Sequence, residues 1–118
     1  MEERWKVTYW ESSLGEKPVE KFIGSLEVRA RDKTVKTLEL LEEFGTQIGL
    51  PHAKKVVGTR LWELRIVGLD SIRLFYIAIV NKQFLLLHGY KKKDQKIQRK
   101  ELKIALARLK EYQARNKN

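Results

Sequence analysis

Two arginines, a histidine, a tyrosine and a run of lysines hold most of the chemistry this sequence can offer. Arg73 is a fixed charge inside an otherwise apolar stretch, Ile72-Arg73-Leu74-Phe75-Tyr76. Its planar guanidinium can hold two phosphate oxygens at once. The alternative is a structural ion pair, with Glu63 as the partner. Arg65 has the same choice, because Glu63 lies two residues away and on the same face of a strand. His88 and Tyr90 follow, leading into Lys91-Lys92-Lys93. His88 titrates near neutral pH, which suits a general acid or base, or it is a packed histidine with its hydrogen bonds satisfied. His52, with Lys54 and Lys55 close by, forms a second and looser group, either anion-binding or plain surface loop. The chain has no cysteine, so a disulfide scaffold, a thiolate zinc finger and a cysteine nucleophile are excluded. Two histidines without thiolates or a carboxylate cluster argue against a structural metal site.

The charge is unevenly placed. There are 25 Lys and Arg against 15 Asp and Glu, a formal net of +10. Residues 1–81 hold 13 basic and 12 acidic side chains, a net of +1, whereas residues 82–118 hold 12 and 3, a net of +9. A cationic last third suits a polyanion such as RNA, DNA or an acidic protein; the plain alternative is a solubilising tail. The basic segment lacks interfacial tryptophans, which disfavours a membrane-surface role. No apolar run is long enough for a spanning helix, and the acidic opening Glu2-Glu3 is unlike a secretory leader. At 118 residues the expectation is one domain, 1–118, with disorder in the last few residues.

The elements that must position these groups can be read from periodicity. Trp5 to Trp10 reads as a first strand, with Trp5, Val7 and Tyr9 on one face. Glu16-Lys17-Pro18 reads as a helix start, followed by Val19, Phe22, Ile23 and Leu26 at helical spacing. A second helix carries the stripe Val28, Val35, Leu38, Leu41 and Phe44, and Gly45 stops it. Leu61 to Ile66 reads as a strand with Trp62, Leu64 and Ile66 on one side, and Val67-Gly68-Leu69-Asp70 turns the chain. Ser71 to Val80 is apolar on both faces apart from Arg73 and so reads as central. Phe84 to Gly89 follows, then a basic connection over 91–96. Leu102, Ala105, Leu106 and Leu109 mark a final amphipathic helix. The expectation is an α+β fold in the order β-α-α-β-β-β-α, a small antiparallel sheet with helices packed on one face.

A two-residue turn at Asn81-Lys82 would set Val80 opposite Gln83. The pairs then run Ile79–Phe84, Ile77–Leu86, Phe75–His88 and Arg73–Tyr90, all on one face. The loop after Arg65 can hold four residues or five, and with five Arg65 sits opposite Arg73. Like charges so placed repel unless an anion lies between them, an arrangement that makes sense around a phosphate.

Leu61-Trp62-Glu63-Leu64-Arg65, Ile72-Arg73-Leu74-Phe75-Tyr76, Leu87-His88-Gly89-Tyr90, Lys92-Lys93, Gln95-Lys96, Glu101 and Ala105 together resemble the RelE superfamily, and within it the phage-derived, HigB-like branch. The resemblance runs from about residue 5 to residue 108. It departs at Ile97-Gln98, where such proteins usually have Thr-Pro. It implies the toxin of a type II toxin–antitoxin system: a cytoplasmic endoribonuclease that cuts mRNA, usually on the ribosome. Such a toxin is monomeric when free and inhibited by a small cognate antitoxin, often of helix-turn-helix type. Metal-free RNA cleavage needs cations around the phosphoryl group and a proton acceptor and donor. On this reading Arg73, Arg65, His88, Tyr90 and Lys92 are the candidate catalytic residues. Lys91, Lys93, Lys96, Lys54, Lys55 and His52 are candidates for holding RNA, and no metal or organic cofactor is expected. The rival readings are a basic RNA- or DNA-binding module that does not cut, and a domain whose positive helix docks an acidic peptide.

Overall fold

A computed structural model of the chain describes residues 4–68, 72–93 and 98–116. Leu69 and Asp70 of the expected turn, Ser71, Gln95, Lys96, Ile97 and the last two residues lie outside the described residues. The elements are β1 (Lys6–Tyr9), α1 (Pro18–Ser25), α2 (Val28–Phe44), a 3-10 turn (Gly45–Gln47), β2 (Ala53–Lys55), β3 (Trp62–Arg65), β4 (Ile72–Ile79), β5 (Gln83–Lys91) and α3 (Arg99–Arg115). The α+β class stands. The sheet has five strands in the order β1-β5-β4-β3-β2, with β4 at its centre. It is mixed rather than antiparallel throughout, because β1 runs parallel to β5. The residues expected as a loop around Lys54 and Lys55 form the short edge strand β2, paired with β3.

Helices cover both faces of the sheet, not one. On the first face Val19, Ile23 and Leu26 around α1 and Ala30, Leu38 and Leu41 of α2 pack on Leu64, Ile66, Leu74, Tyr76, Phe84 and Leu86. On the second, Ala105 and Leu109 of α3 pack on Phe75, Ile77, Leu85 and Leu87, together with Trp10 and Leu61. Strict alternation in β4 makes this two-sided core possible, since its residues are apolar towards both layers.

Helix α1 starts with Pro18 in its first turn, where the missing N–H costs nothing. Helix α2 ends at Gly45 with φ +59°, and a Cβ there would lie 2.6 Å from Nε1 of Trp5. The inward face of α2 differs from the expected stripe. Ala30, Thr34, Thr37, Leu38 and Leu41 are buried, while Val28, Val35 and Phe44 are 62%, 44% and 52% exposed. Stepping back from Leu38 and Leu41 by helical intervals reaches Thr34 and Ala30, not Val35. The threonines can be buried because each hydroxyl donates to the backbone one turn earlier, Thr34 to Ala30 O and Thr37 to Lys33 O, both at 2.8 Å. No helix among the described residues is long and apolar enough to cross a membrane.

Candidate functional site

The α3 face of the sheet beyond Leu87 carries two cross-strand rows. The first is Lys54–Glu63–Phe75–His88, and the second is Arg65–Arg73–Tyr90. Arg65 and Arg73 are therefore direct neighbours, as the five-residue loop requires. Leu64, Leu74 and Gly89 form the row between them on the other face. There Gly89 is needed for space, since a Cβ would meet Leu74 and Phe22 side chains at 2.7 Å.

A β-bulge delivers this arrangement. Asn81 and Lys82 adopt φ +64° and +54°, but the connection is three residues long, 80–82, and not the expected two, so Val80 is not paired with Gln83. Ile79 pairs with Gln83, Ala78 with Phe84 and Ile77 with Leu85, so the pairs Ile79–Phe84 and Ile77–Leu86 are not formed. The register shifts at Phe75/Tyr76, and Phe75–His88 and Arg73–Tyr90 then pair as expected. The extra residue, Leu87, is taken up in β5. Phe84 and Leu86 consequently face α1 and α2, whereas Leu87 and Tyr90 face α3.

Glu63 holds the second row together. Arg65 Nε donates to its Oε1 at 3.2 Å, and Arg73 Nε lies 3.8 Å from the same oxygen. The Tyr90 hydroxyl donates to Oε2 at 3.5 Å. Arg73 is 17% exposed and Glu63 14%, so the pair is screened from water without being sealed in hydrocarbon. Nη1 of Arg73 donates to Ile72 O at 3.2 Å, while its Nε is buried with no hydrogen-bond partner. Burial, followed by the charge of Glu63, pushes the Tyr90 pKa well above its ordinary value of 10.0, with Arg73 opposing. The shift holds the proton on Tyr90, which stays a phenol and a hydrogen-bond donor at neutral pH.

His88 is tied to α3. Its Nε2 lies 2.7 Å from Glu101 Oε1, and Arg108 Nη1 lies 3.2 Å from its Nδ1. A guanidinium can only donate. Nδ1 must therefore be the acceptor, and Nε2 carries the proton given to Glu101. Burial lowers the His88 pKa from 6.5; the Glu101 hydrogen bond opposes that shift and the Arg108 charge adds to it. Arg108 also donates to Leu87 O at 2.9 Å. The imidazole is neutral, has both nitrogens engaged, and stacks beside the Tyr90 ring at 5.9 Å.

The second row opens into a cavity of about 370 Å³ lined by Lys54, Lys55, Glu63, Arg65, Tyr90 and Lys92, with Phe75 and Leu102 as apolar walls. Of the expected residues, the fold gathers Arg65, Tyr90, Lys92, Lys54 and Lys55 on the cavity wall, while Arg73 lies behind it, 3.8 Å from the lining residue Glu63. Lys55 Nζ donates to Thr59 O. Lys91 pairs with Ile72, and alternation turns it to the opposite face from Tyr90. Lys93 is exposed. His52 lies outside the cavity: its carbonyl accepts Arg65 N at 2.7 Å, and its Nδ1 is buried without a partner. A larger, more open hollow of about 890 Å³ lies near Trp10, where Glu11, Glu16 and Glu20 face Lys17, Lys21 and Arg108, so its lining has no excess of either charge.

Sequence reasoning gave Glu63 only the part of an ion-pair partner and missed Arg108. The signal was available. With Ala105 and Leu109 fixed inward, Glu101 and Arg108 flank the same face of α3 at i and i+7.

An α+β domain with a cation-lined pocket on one sheet face is the class that these features define. Residues 21–110, which include every residue of the pocket, match the family model "Phage derived protein Gp49-like (DUF891)". The chain belongs to this family of phage-derived Gp49-like proteins, which is RelE- and toxin-like. No curated protein matches the chain.

Proposed function

We propose that this chain is the toxin of a type II toxin–antitoxin system, of the HigB-like branch. On this reading it acts in the cytoplasm as a metal-independent endoribonuclease that cuts mRNA on the ribosome, and a small helix-turn-helix antitoxin restrains it. The observation that carries this reading is the cross-strand Arg65–Arg73 pair, with Tyr90 in the same row, beside a cavity that also presents Lys54 and Lys92.

In the reaction, the 2′-hydroxyl gives up its proton to solvent water, its oxygen attacks phosphorus and the bond from phosphorus to the 5′-oxygen breaks. The products are a 2′,3′-cyclic phosphate and a 5′-hydroxyl. Charge builds on the phosphoryl oxygens, where Arg65, Arg73 and Lys92 supply cations that need no rearrangement as the charge develops. Tyr90, kept protonated, donates to the departing 5′-oxygen. His88 is a positioning residue: it stacks on Tyr90 and anchors the strand end to α3. Lys54, Lys55 and Lys93 extend the positive surface along the RNA, and Lys96, outside the described residues, remains a candidate by sequence alone.

Purified protein should cleave RNA in EDTA, alone or in a translation extract. Arg73→Ala should lower the rate by about 10²–10³-fold or more. Wild-type rates from that variant would remove Arg73 from the site. The second reading, a module that binds RNA or DNA without cutting it, is favoured by the occupied state of both His88 nitrogens. Expression without a partner separates the two: a nuclease arrests growth in an Arg73-dependent way and fragments mRNA, whereas a passive binder leaves mRNA intact.

A further inference from the structure

Directly opposed arginines repel, and Arg65 and Arg73 are also largely withdrawn from water, with side chains 30% and 17% exposed. Something negative must lie between them. In the free chain it is Oε1 of Glu63, at 3.2 Å from Arg65 Nε and 3.8 Å from Arg73 Nε. The fit is incomplete. Arg73 Nε is buried without a hydrogen bond, and the Tyr90 hydroxyl reaches Oε2 only at 3.5 Å. A carboxylate offers two oxygens in one plane. A tetrahedral oxyanion offers oxygens on several sides and can meet both guanidiniums and the phenol together.

We propose that Glu63 is an internal stand-in for a tetrahedral oxyanion, occupying the subsite between Arg65 and Arg73, and that a phosphate group enters by displacing its carboxylate. Glu63 is then the specificity-determining residue of the pocket. It sets how strongly an anion must compete, and it keeps weakly bound anions out. Lys54 stands opposite Glu63 across β2 and β3, so the displaced carboxylate meets a cation instead of an apolar wall. This inference rests on the reading of the Arg65–Arg73 pair as a phosphate site, but it does not require cleavage.

The test is thermal unfolding of the full chain across a series of sulfate and inorganic phosphate concentrations, with ionic strength held by chloride. In chloride alone, Glu63→Gln should melt below wild type, since its arginines face each other unscreened. With sulfate it should recover, with a half-saturating concentration about tenfold lower than that of wild type. Adding Arg73→Ala should abolish the recovery. An identical sulfate response in wild type and Glu63→Gln would overturn the proposal, as would a response that survives Arg73→Ala. Should Glu63→Gln fail to fold even in sulfate, Glu63→Asp decides. That variant keeps the charge but retracts it by one methylene, so its half-saturating sulfate must fall below wild type, and an unchanged value refutes the displacement. A 2′-O-methylated RNA oligonucleotide, which cannot be cut, should bind Glu63→Gln about tenfold more tightly. A response confined to inorganic ions would keep the subsite for free phosphate and refute it for a phosphodiester. Absence of cleavage in every assay would remove the nuclease and leave these binding results standing.

Discussion

Arg73 and His88 show how one strand end can hold two charged or polar groups with different duties. Arg73 sits in the central strand, where the neighbouring residues are apolar, and its charge is offset by Glu63 on the adjacent strand, 3.8 Å away. His88 is fixed by donors and acceptors on α3, which dictate a neutral ring. That fixation has a pH consequence. Its folded-state pKa lies below the ordinary 6.5, so the unfolded chain binds a proton that the folded chain resists. The contribution of His88 is therefore fully present above 6.5 and is lost as pH falls from that value through the lower folded-state pKa. Urea midpoints measured between about pH 7.5 and about pH 5.5 should fall for wild type. In His88→Gln, which has no titrating ring, the fall should be shallower. Equal slopes for the two proteins would mean that the ring is not held neutral by Arg108 and burial.

At the scale of elements, the β4–β5 hairpin governs the site. Its turn puts Lys82 at φ +54°, a conformation that costs an L-residue roughly 1–2 kcal/mol and glycine almost nothing. Lys82→Gly should therefore stabilise the protein by about 1 kcal/mol, seen as a raised urea midpoint at constant slope. A lowered midpoint would show that the lysine side chain contributes more than the turn geometry costs. The bulge at Leu87 has a larger effect on function. Without it, the register at the turn would carry through to the strand end, and His88 and Tyr90 would pair one position away from Phe75 and Arg73. The extra residue lets Phe84 and Leu86 close one core while Leu85, Leu87 and Tyr90 close the other. Helix α3 then completes the site from above through Glu101 and Arg108, and Leu102 walls the cavity.

At the scale of the molecule, charge sets how a polyanion approaches. The stretch 82–118, which includes β5 and α3, carries a net of +9. Binding of a short single-stranded RNA should weaken steeply from about 50 to about 200 mM salt, by counterion release. Lys92→Ala should reduce the slope of log affinity against log salt by about 0.7, the value for one phosphate contact on a single strand. Fluorescence anisotropy measures this directly. A slope unchanged by the substitution would place Lys92 off the RNA path. The antitoxin expected of a toxin-like family would have to contend with the same positive surface.

Local pattern by itself determined much of this. Pro18 and Gly45 mark helix ends because proline and glycine restrict or release backbone angles whatever surrounds them. The apolar run around Arg73 marks a strand buried on both faces, and the loop length after Arg65 allows the two arginines to pair. Other features depended on contacts between distant parts of the chain. Thr34 is polar as a residue and buried as a neighbour, because its hydroxyl is spent on its own helix. The bulge at Leu87 arises from two cores competing for adjacent side chains, which no single-strand period records. The fate of His88 was decided by Glu101 and Arg108, 13 and 20 residues away, and that of Arg65 and Arg73 by the carboxylate between them. Sequence fixes which groups can ionise or bend the backbone; only the packed sheet decides which of them meet, because hydrogen bonding and charge act over a few ångströms of space and not along the chain.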